Sequence, residues 1–261
     1  MKKLFSIIKR FTQGVNQSNI QAHAASSAFY MFLSLVPFIA ALTSVIPFTG
    51  LDSSELLGMI SPYIPDELTA LISDIVSDIY FASGTVLPLS ILISIWLASR
   101  SFSSLIRGIE DIYKAPHYSS FIRRSIISCI FTLIMLAAMI AVPTIIIFGE
   151  RFVRLRVGVL IAFLLLSLLF FGLYHRTPGM KLPVTALIPG AVFSGAVWLL
   201  FSWLYSLFAR MGGSYSIYGS LAAIIISLLW MYWCMFIILL GAFINVFVYG
   251  ERNPELPGEL I

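Results

Sequence analysis

Charge is what this sequence has least of: 16 Lys and Arg and 12 Asp and Glu among 261 residues amount to 11%, where a soluble domain carries about a quarter. That shortage, with 59% hydrophobic residues, excludes water as the main solvent of the chain. Cysteine is nearly missing. Cys129 and Cys234 both fall in apolar runs, with no CxxC spacing and no neighbouring histidine, so they read as small apolar fillers and neither as a disulfide nor as a metal site. The three histidines, His23, His117 and His175, map to different elements near the polar gaps and form no HxxxH or HExxH pattern. No GxSxG motif occurs, and no carboxylate sits at the centre of an apolar run. An enzyme is therefore not expected, and no cofactor is implied.

What the sequence has instead is long apolar runs. A bilayer crossing takes roughly 20 apolar residues as a helix, because about 30 Å of hydrocarbon is spanned at about 1.5 Å per residue. Helices are required, since irregular backbone facing lipid leaves amides unpaired. Six spans follow, over residues 28–48, 86–106, 125–149, 157–174, 185–208 and 217–249, the second broken by Arg100. The stretch from 211 to 250 has no charge and no central turn signal, so it reads as one tilted or bent helix.

The basic residues alternate between the gaps. Lys2, Lys3, Lys9, Arg10, Arg100, Arg107, Lys114, Arg123, Arg124, Arg176, Lys181 and Arg252 fall on one side, and Arg151, Arg154, Arg156 and Arg210 on the other. Cytoplasmic loops are the basic ones, so both termini are expected inside. The fold class is thus all-α: one polytopic membrane domain over 1–261 with six transmembrane helices. The net charge of +4 suits loops facing anionic lipid headgroups, and nucleic acid is not an expected partner, because no basic stretch is interleaved with aromatics on a polar surface.

Two segments lie outside the spans. Residues 1–20 carry Leu4, Phe5, Ile7, Ile8, Phe11 and Val15 at helical spacing among four basic residues, which predicts a short amphipathic helix on the inner membrane surface. A cleavable signal peptide is not expected, since Lys9 and Arg10 follow the apolar stretch too soon. Residues 50–85 hold six acidic residues and no Lys or Arg. Pro65, Asp66 and Glu67 suit a helix start, after which Leu68, Leu71, Ile72, Ile75, Val76 and Ile79 share an apolar face and Glu67, Asp74 and Asp78 an acidic stripe. This segment is expected outside the cytoplasm.

The second span is expected to continue as a helix to Lys114, with Arg107, Glu110, Asp111 and Lys114 at pairing distance along it. Arg100 has no acid three or four residues away. It either snorkels to the interface or faces an internal aqueous cavity, where it would contact an anion or a headgroup. Pro37, Pro47, Pro88, Pro143 and Pro189 fall in spans, where an interior proline frees a carbonyl and kinks the helix. The pairs Gly190 and Ser194, Ala191 and Gly195, and Gly219 and Ala223 allow close helix contact, within the bundle by default. An oligomer is left open.

The segments Ser34-Leu35-Val36-Pro37, Trp96-Leu97-Ala98-Ser99, Gly108-Ile109-Glu110-Asp111-Ile112-Tyr113, Pro189-Gly190-Ala191, Tyr218-Gly219-Ser220 and Gly241-Ala242-Phe243-Ile244-Asn245 occur in an order that resembles the YihY / virulence factor BrkB family of bacterial inner-membrane proteins. The resemblance runs from about 22 to 245. It implies six membrane helices, a bacterial cytoplasmic membrane, and an activity suggested to be export of solutes or movement of lipid-like molecules. It also implies that the older ribonuclease BN label is a misassignment. Many relatives carry an acid where this chain has Phe243, so a carboxylate role there does not carry over.

The function class these features favour is a transporter or exporter of a small polar solute or an amphipathic lipid-like molecule. Its pathway or cavity would use Ser34, Pro37, Trp96, Arg100, Tyr218, Gly219, Ser220 and Asn245. The bilayer and an unknown solute or lipid are the expected partners. A non-transporting scaffold or envelope assembly factor is the alternative, docking through the amphipathic helix and the acidic segment.

Overall fold

The computed structural model describes residues 2–49, 73–74, 86–114, 126, 128, 130, 134, 155–177, 182–211 and 219–252. Among them the regular structure is entirely helical. α1 (Lys2–Gln17) and α2 (Ile20–Thr49) are followed by α3 (Val86–Ile112), α4 (Leu155–Arg176), a 3-10 turn (Val184–Leu187), α5 (Ile188–Met211) and α6 (Gly219–Arg252). The expected span over 125–149, apart from helical Ile126, Ser128, Ile130 and Ile134, the acidic helix over 65–79, apart from helical Ser73 and Asp74, and Tyr218 lie outside the described residues, as does Pro143.

Four stretches among the described residues are long and apolar enough to cross a membrane: Pro88–Ile112, Gly158–Arg176, Val184–Tyr205 and Ile224–Glu251. α6 runs unbroken for 34 residues, about 50 Å at 1.5 Å per residue, so the absence of a turn signal in that run is matched by a single helix. The fifth expected span differs in its start. Its first turn is 3-10, and Pro189 falls in the first turn of α5, where a missing N–H costs little because those amides lack intrahelical acceptors. Pro189 thus opens a helix and does not kink one. α3 stops at Ile112, two residues short of Lys114. Tyr113 N–H still donates to the Ile109 carbonyl, and Lys114, at φ 47°, turns the chain out of the helix.

α2 and α3 pack antiparallel along a seam of small residues. Ala24, Ser27 and Ala28 of α2 and Ser101 of α3 are fully or almost fully buried, and Ser101 Oγ donates to the Ser27 carbonyl at 2.7 Å. Gly108 lies against His23 and Leu239, where a Cβ would stand 2.9 Å from His23 Cβ. Between lipid-bathed helices the apolar effect offers no drive to associate, so closeness of backbones and hydrogen bonds across helices hold the pair. At the polar end His23 Nε2 meets Asp111 Oδ2 at 2.7 Å.

α6 is the spine, touching α1, α2, α3, α5 and the 3-10 turn. Its buried face, through Met231, Met235, Ile238, Leu239, Ala242 and Val246, joins Ile20, Leu105, Ile109, Phe170, Leu173 and Leu187 in one core. The outward faces stay apolar, with Leu92 and Leu168 each 67% exposed, a surface far larger than a water-soluble monomer tolerates.

α1 does not simply lie free on a surface. Phe11 inserts edge-on between Phe243 (5.2 Å) and Phe247 (5.3 Å) of α6, and Gly14 leaves room for the Phe243 ring. Arg10 reaches Glu251 at 2.8 Å. Phe5, 71% exposed, remains on the outer face, so half of the amphipathic pattern is used by the protein itself. At the elbow Ser18 Oγ donates to the Gly14 carbonyl at 2.9 Å, and Asn19 takes φ 49°, a left-handed conformation Asn tolerates.

Phe11→Ala should remove two edge-to-face pairs, about 2 kcal/mol together, and accelerate amide hydrogen exchange in α1 by roughly 30-fold. Glu251→Gln, which breaks an exposed ion pair, should change that exchange by less than about fivefold. Equal effects of the two would contradict this packing.

Candidate functional site

Two polar groupings are built into the described helices. The first lies on α2 and α3. Arg100, at the midpoint of the Pro88–Ile112 stretch, places its guanidinium carbon 5.5 Å from the Trp96 ring centroid and 6.0 Å from that of Tyr30. Both distances are within cation–π range. Nε is buried and finds no hydrogen-bond partner among the described residues, and no described carboxylate pairs with Arg100. Trp96 sits one turn N-terminal of Arg100. The guanidinium therefore turns away from the charged end of α3, where Arg107, Glu110 and Asp111 lie, and follows the natural N-terminal tilt of helical side chains.

The second grouping is buried where α4, α5 and α6 meet the end of α3. Gly190, in the first turn of α5, has one of the amide N–H groups that a helix start leaves over. Asn245 Oδ1 accepts from it at 2.7 Å, and Asn245 Nδ2 donates to Tyr113 Oη at 3.3 Å. Two turns back along α6, Tyr174 O–H donates to the Ile238 carbonyl at 2.7 Å and lies 2.8 Å from Ser194 Oγ, itself 3.2 Å from the Ile237 carbonyl. Burial raises the Tyr113 phenol well above its ordinary range, and the Asn245 hydrogen bond opposes this in part. Tyr113 thus stays a neutral hydroxyl able to accept from the amide.

Glycine makes the second grouping possible. A Cβ on Gly190 would run into the Gly241 carbonyl and Asn245 Oδ1, and one on Gly241 into Ser194 Oγ, Tyr174 Oη at 2.6 Å and the Gly190 carbonyl at 2.8 Å. The α5 and α6 backbones touch at these residues, which lets the short side chains of Asn245 and Ser194 bridge them. Gly195, on the opposite side of α5, admits Ser167 of α4 in the same manner.

Of the residues expected along a pathway, Trp96 and Arg100 come together. Tyr30 joins them unannounced, because nothing in spacing within one helix shows a partner 70 positions away. Ser34 is buried on α2 with Oγ donating to the Met31 carbonyl at 2.6 Å, and Pro37 is half-buried on the same helix. Gly219 and Ser220 open α6, at the other end from Asn245. Asn245 meets α3 at Tyr113, about 20 Å along the helix from Arg100. Tyr113, Tyr174, Gly190, Ser194 and Gly241 are the residues that sequence reasoning did not join into a site. The motifs Pro189-Gly190-Ala191 and Gly241-Ala242-Phe243-Ile244-Asn245 contain two of them, Gly190 and Gly241, without showing that they touch. Among the described residues no three His, Cys, Asp or Glu side chains converge as metal ligands.

Gly241→Ala should cost about 2 kcal/mol by overpacking. Gly172→Ala, where a Cβ meets nothing within 4 Å, should be neutral or stabilise by up to about 1 kcal/mol through helix propensity. Asn245→Leu, which strands the Gly190 N–H, should cost about 1–3 kcal/mol. Thermal unfolding in detergent micelles checks all three, and a Gly241→Ala protein as stable as Gly172→Ala would refute the backbone contact.

Comparison with known proteins covers nearly the whole chain. The ribonuclease-like protein YfkH of Bacillus subtilis (strain 168) is 28% identical over 277 residues, spanning 99% of this chain and 98% of that one. A UPF0761 membrane protein of Aliivibrio fischeri (strain MJ11) is 27% identical over 270 residues, 95% of this chain and 84% of its own. A UPF0761 membrane protein of Vibrio vulnificus (strain CMCP6) is 35% identical over 98 residues, 37% of this chain and 31% of that one. No solved structure matches. The description of the virulence factor BrkB family fits residues 11–259, and with its apolar helices and its UPF0761 relatives the chain belongs to that family of membrane proteins.

Proposed function

We propose that this protein is a transporter or exporter in a bacterial cytoplasmic membrane, crossing it six times with both termini in the cytoplasm and moving a small polar solute or an amphipathic lipid-like molecule. The observation that carries the reading is Arg100. A cation in the middle of an apolar helix costs about 2.5–3.5 kcal/mol on insertion scales. Two aromatic faces offset part of that cost and leave the N–H edges of the guanidinium without an acceptor among the described residues. Intramembrane cations of this kind mark substrate pathways. The reading contains no catalytic step, so the ribonuclease-like name of the Bacillus subtilis relative is not carried over.

The buried grouping around Asn245 supports a division of labour. Its polar atoms satisfy one another, so it serves as a fixed joint, and the α2–α3 pair presents a cation whose Nε has no partner among the described residues.

Purified protein in liposomes should move a substrate when compatible solutes, sodium and labelled anionic lipids are screened. Arg100→Ala should lower that flux by at least about tenfold, while Arg176→Gln leaves it unchanged. Absence of flux for every class, from inserted and folded protein, would favour a scaffold that copurifies with a fixed partner. A green fluorescent reporter fused after Ile261 should fluoresce, whereas activity from a periplasmic phosphatase reporter at that position would reverse the topology.

A further inference from the structure

Trp96, Arg100, Ser103 and Arg107 recur at spacings of four, three and four residues, so they form one stripe along α3. Arg107 and Trp96 are exposed, and Arg100 and Ser103 are half-buried. The stripe thus runs from the charged end of the helix into its apolar part with a cation at either end of a distance of about 10 Å. Nε is the one guanidinium nitrogen of Arg100 among the buried unpartnered atoms, which leaves the terminal nitrogens at the accessible end of the fork. Tyr30 and Trp96 hold the group, and its hydrogen-bonding edge matches a phosphate or carboxylate.

We propose that this stripe binds the phosphate of an anionic phospholipid drawn sideways out of the bilayer, received at Arg107 and held at Arg100. The inference deepens the transport reading, since it names the ligand class at the same cation. What favours a lipid over a free anion is the surroundings. Leu33 and Val36 of α2 and Leu92 of α3, beside the clamp, are all exposed, so the site opens onto hydrocarbon. A hydrated free anion is expelled from that medium, while a lipid anion is tethered to it by its own chains. The phosphate supplies the acceptors that Arg100 lacks among the described residues, the rings keep the guanidinium from folding back to the charged end, and the acyl chains run along the outward faces of α2 and α3.

The test is native mass spectrometry of protein released from nanodiscs holding equal amounts of phosphatidylglycerol and phosphatidylcholine. Wild-type protein should retain phosphatidylglycerol preferentially. Arg100→Gln should lower that retention by roughly tenfold, the equivalent of one charge-assisted hydrogen bond, and Arg107→Gln by less. Trp96→Leu changes an exposed side chain that the core does not need, so it tests the clamp even if Arg100→Gln misfolds, and should also weaken retention. Arg176→Gln should not. Retention unchanged in both Arg100→Gln and Trp96→Leu would overturn the proposal, as would displacement of the lipid by inorganic phosphate or glycerol 3-phosphate, which would make the site one for aqueous anions. No flux is needed for this readout. Lipid retention without transport would sink the transport reading and leave the site standing, and transport without retention would do the reverse.

Discussion

The contact on which the bundle depends is the meeting of two backbones at Gly190 and Gly241. Helices of ordinary residues pack 8–10 Å apart, held off by the side chains between them. With no Cβ on either residue, α5 and α6 close until the Gly190 carbonyl lies against Gly241. Glycine inside a helix costs about 0.5–1 kcal/mol relative to alanine, and the hydrogen bonds of Asn245, Ser194 and Tyr174 that it permits offset this. From that contact the rest is positioned: Tyr174 ties α4 to α6, Asn245 ties the start of α5 to the end of α3 at Tyr113, and Leu239, two residues before Gly241, receives Gly108 of α3.

The two polar groupings are opposites in physical character. Around Asn245 every named donor and acceptor faces a partner in a buried region, which makes motion expensive. Around Arg100 the cation has aromatic faces but no acceptor among the described residues. The first grouping is thus closed to a ligand, and the second is a cation with hydrogen-bonding capacity to offer one. α1 adds a third element of order, since Phe11 seated between Phe243 and Phe247 joins the start of the chain to the end of its spine. Phe243 on that spine is thus a residue that holds α1.

Much of the architecture was legible, and the reason is the solvent. Hydrocarbon demands continuous apolar helices, so runs such as 211–250 announce themselves, and the small pairs Gly190 with Ser194 and Ala191 with Gly195 signal close packing that the structure uses on two sides of α5. The amphipathic period of residues 4–15 likewise corresponds to α1. What sequence did not show is everything that depends on which helix lies beside which. The spacing of Asp111 to Arg107 and Lys114 is visible along one helix, but its contact with His23, 88 positions away, is not. Tyr30 is unremarkable until α2 folds back beside Arg100. The sequence marks Asn245 as a polar residue in an apolar run, and only the register of α5 against α6 shows that it meets the Gly190 N–H and the Tyr113 hydroxyl. The break at Pro189 was placed inside a span because proline fits a kink and a helix start equally well on composition.

On this proposal Arg100, without a hydrogen-bond or ion-pair partner among the described residues, takes its anion from the membrane. An experimental structure in nanodiscs of anionic lipid tests this most directly. It should show headgroup density within hydrogen-bond distance of the Arg100 terminal nitrogens, with the guanidinium still against Trp96 and Tyr30. A guanidinium found instead in a bidentate pair with a carboxylate of this chain would contradict the account, since the cation would then be a structural strut with nothing left to offer a ligand.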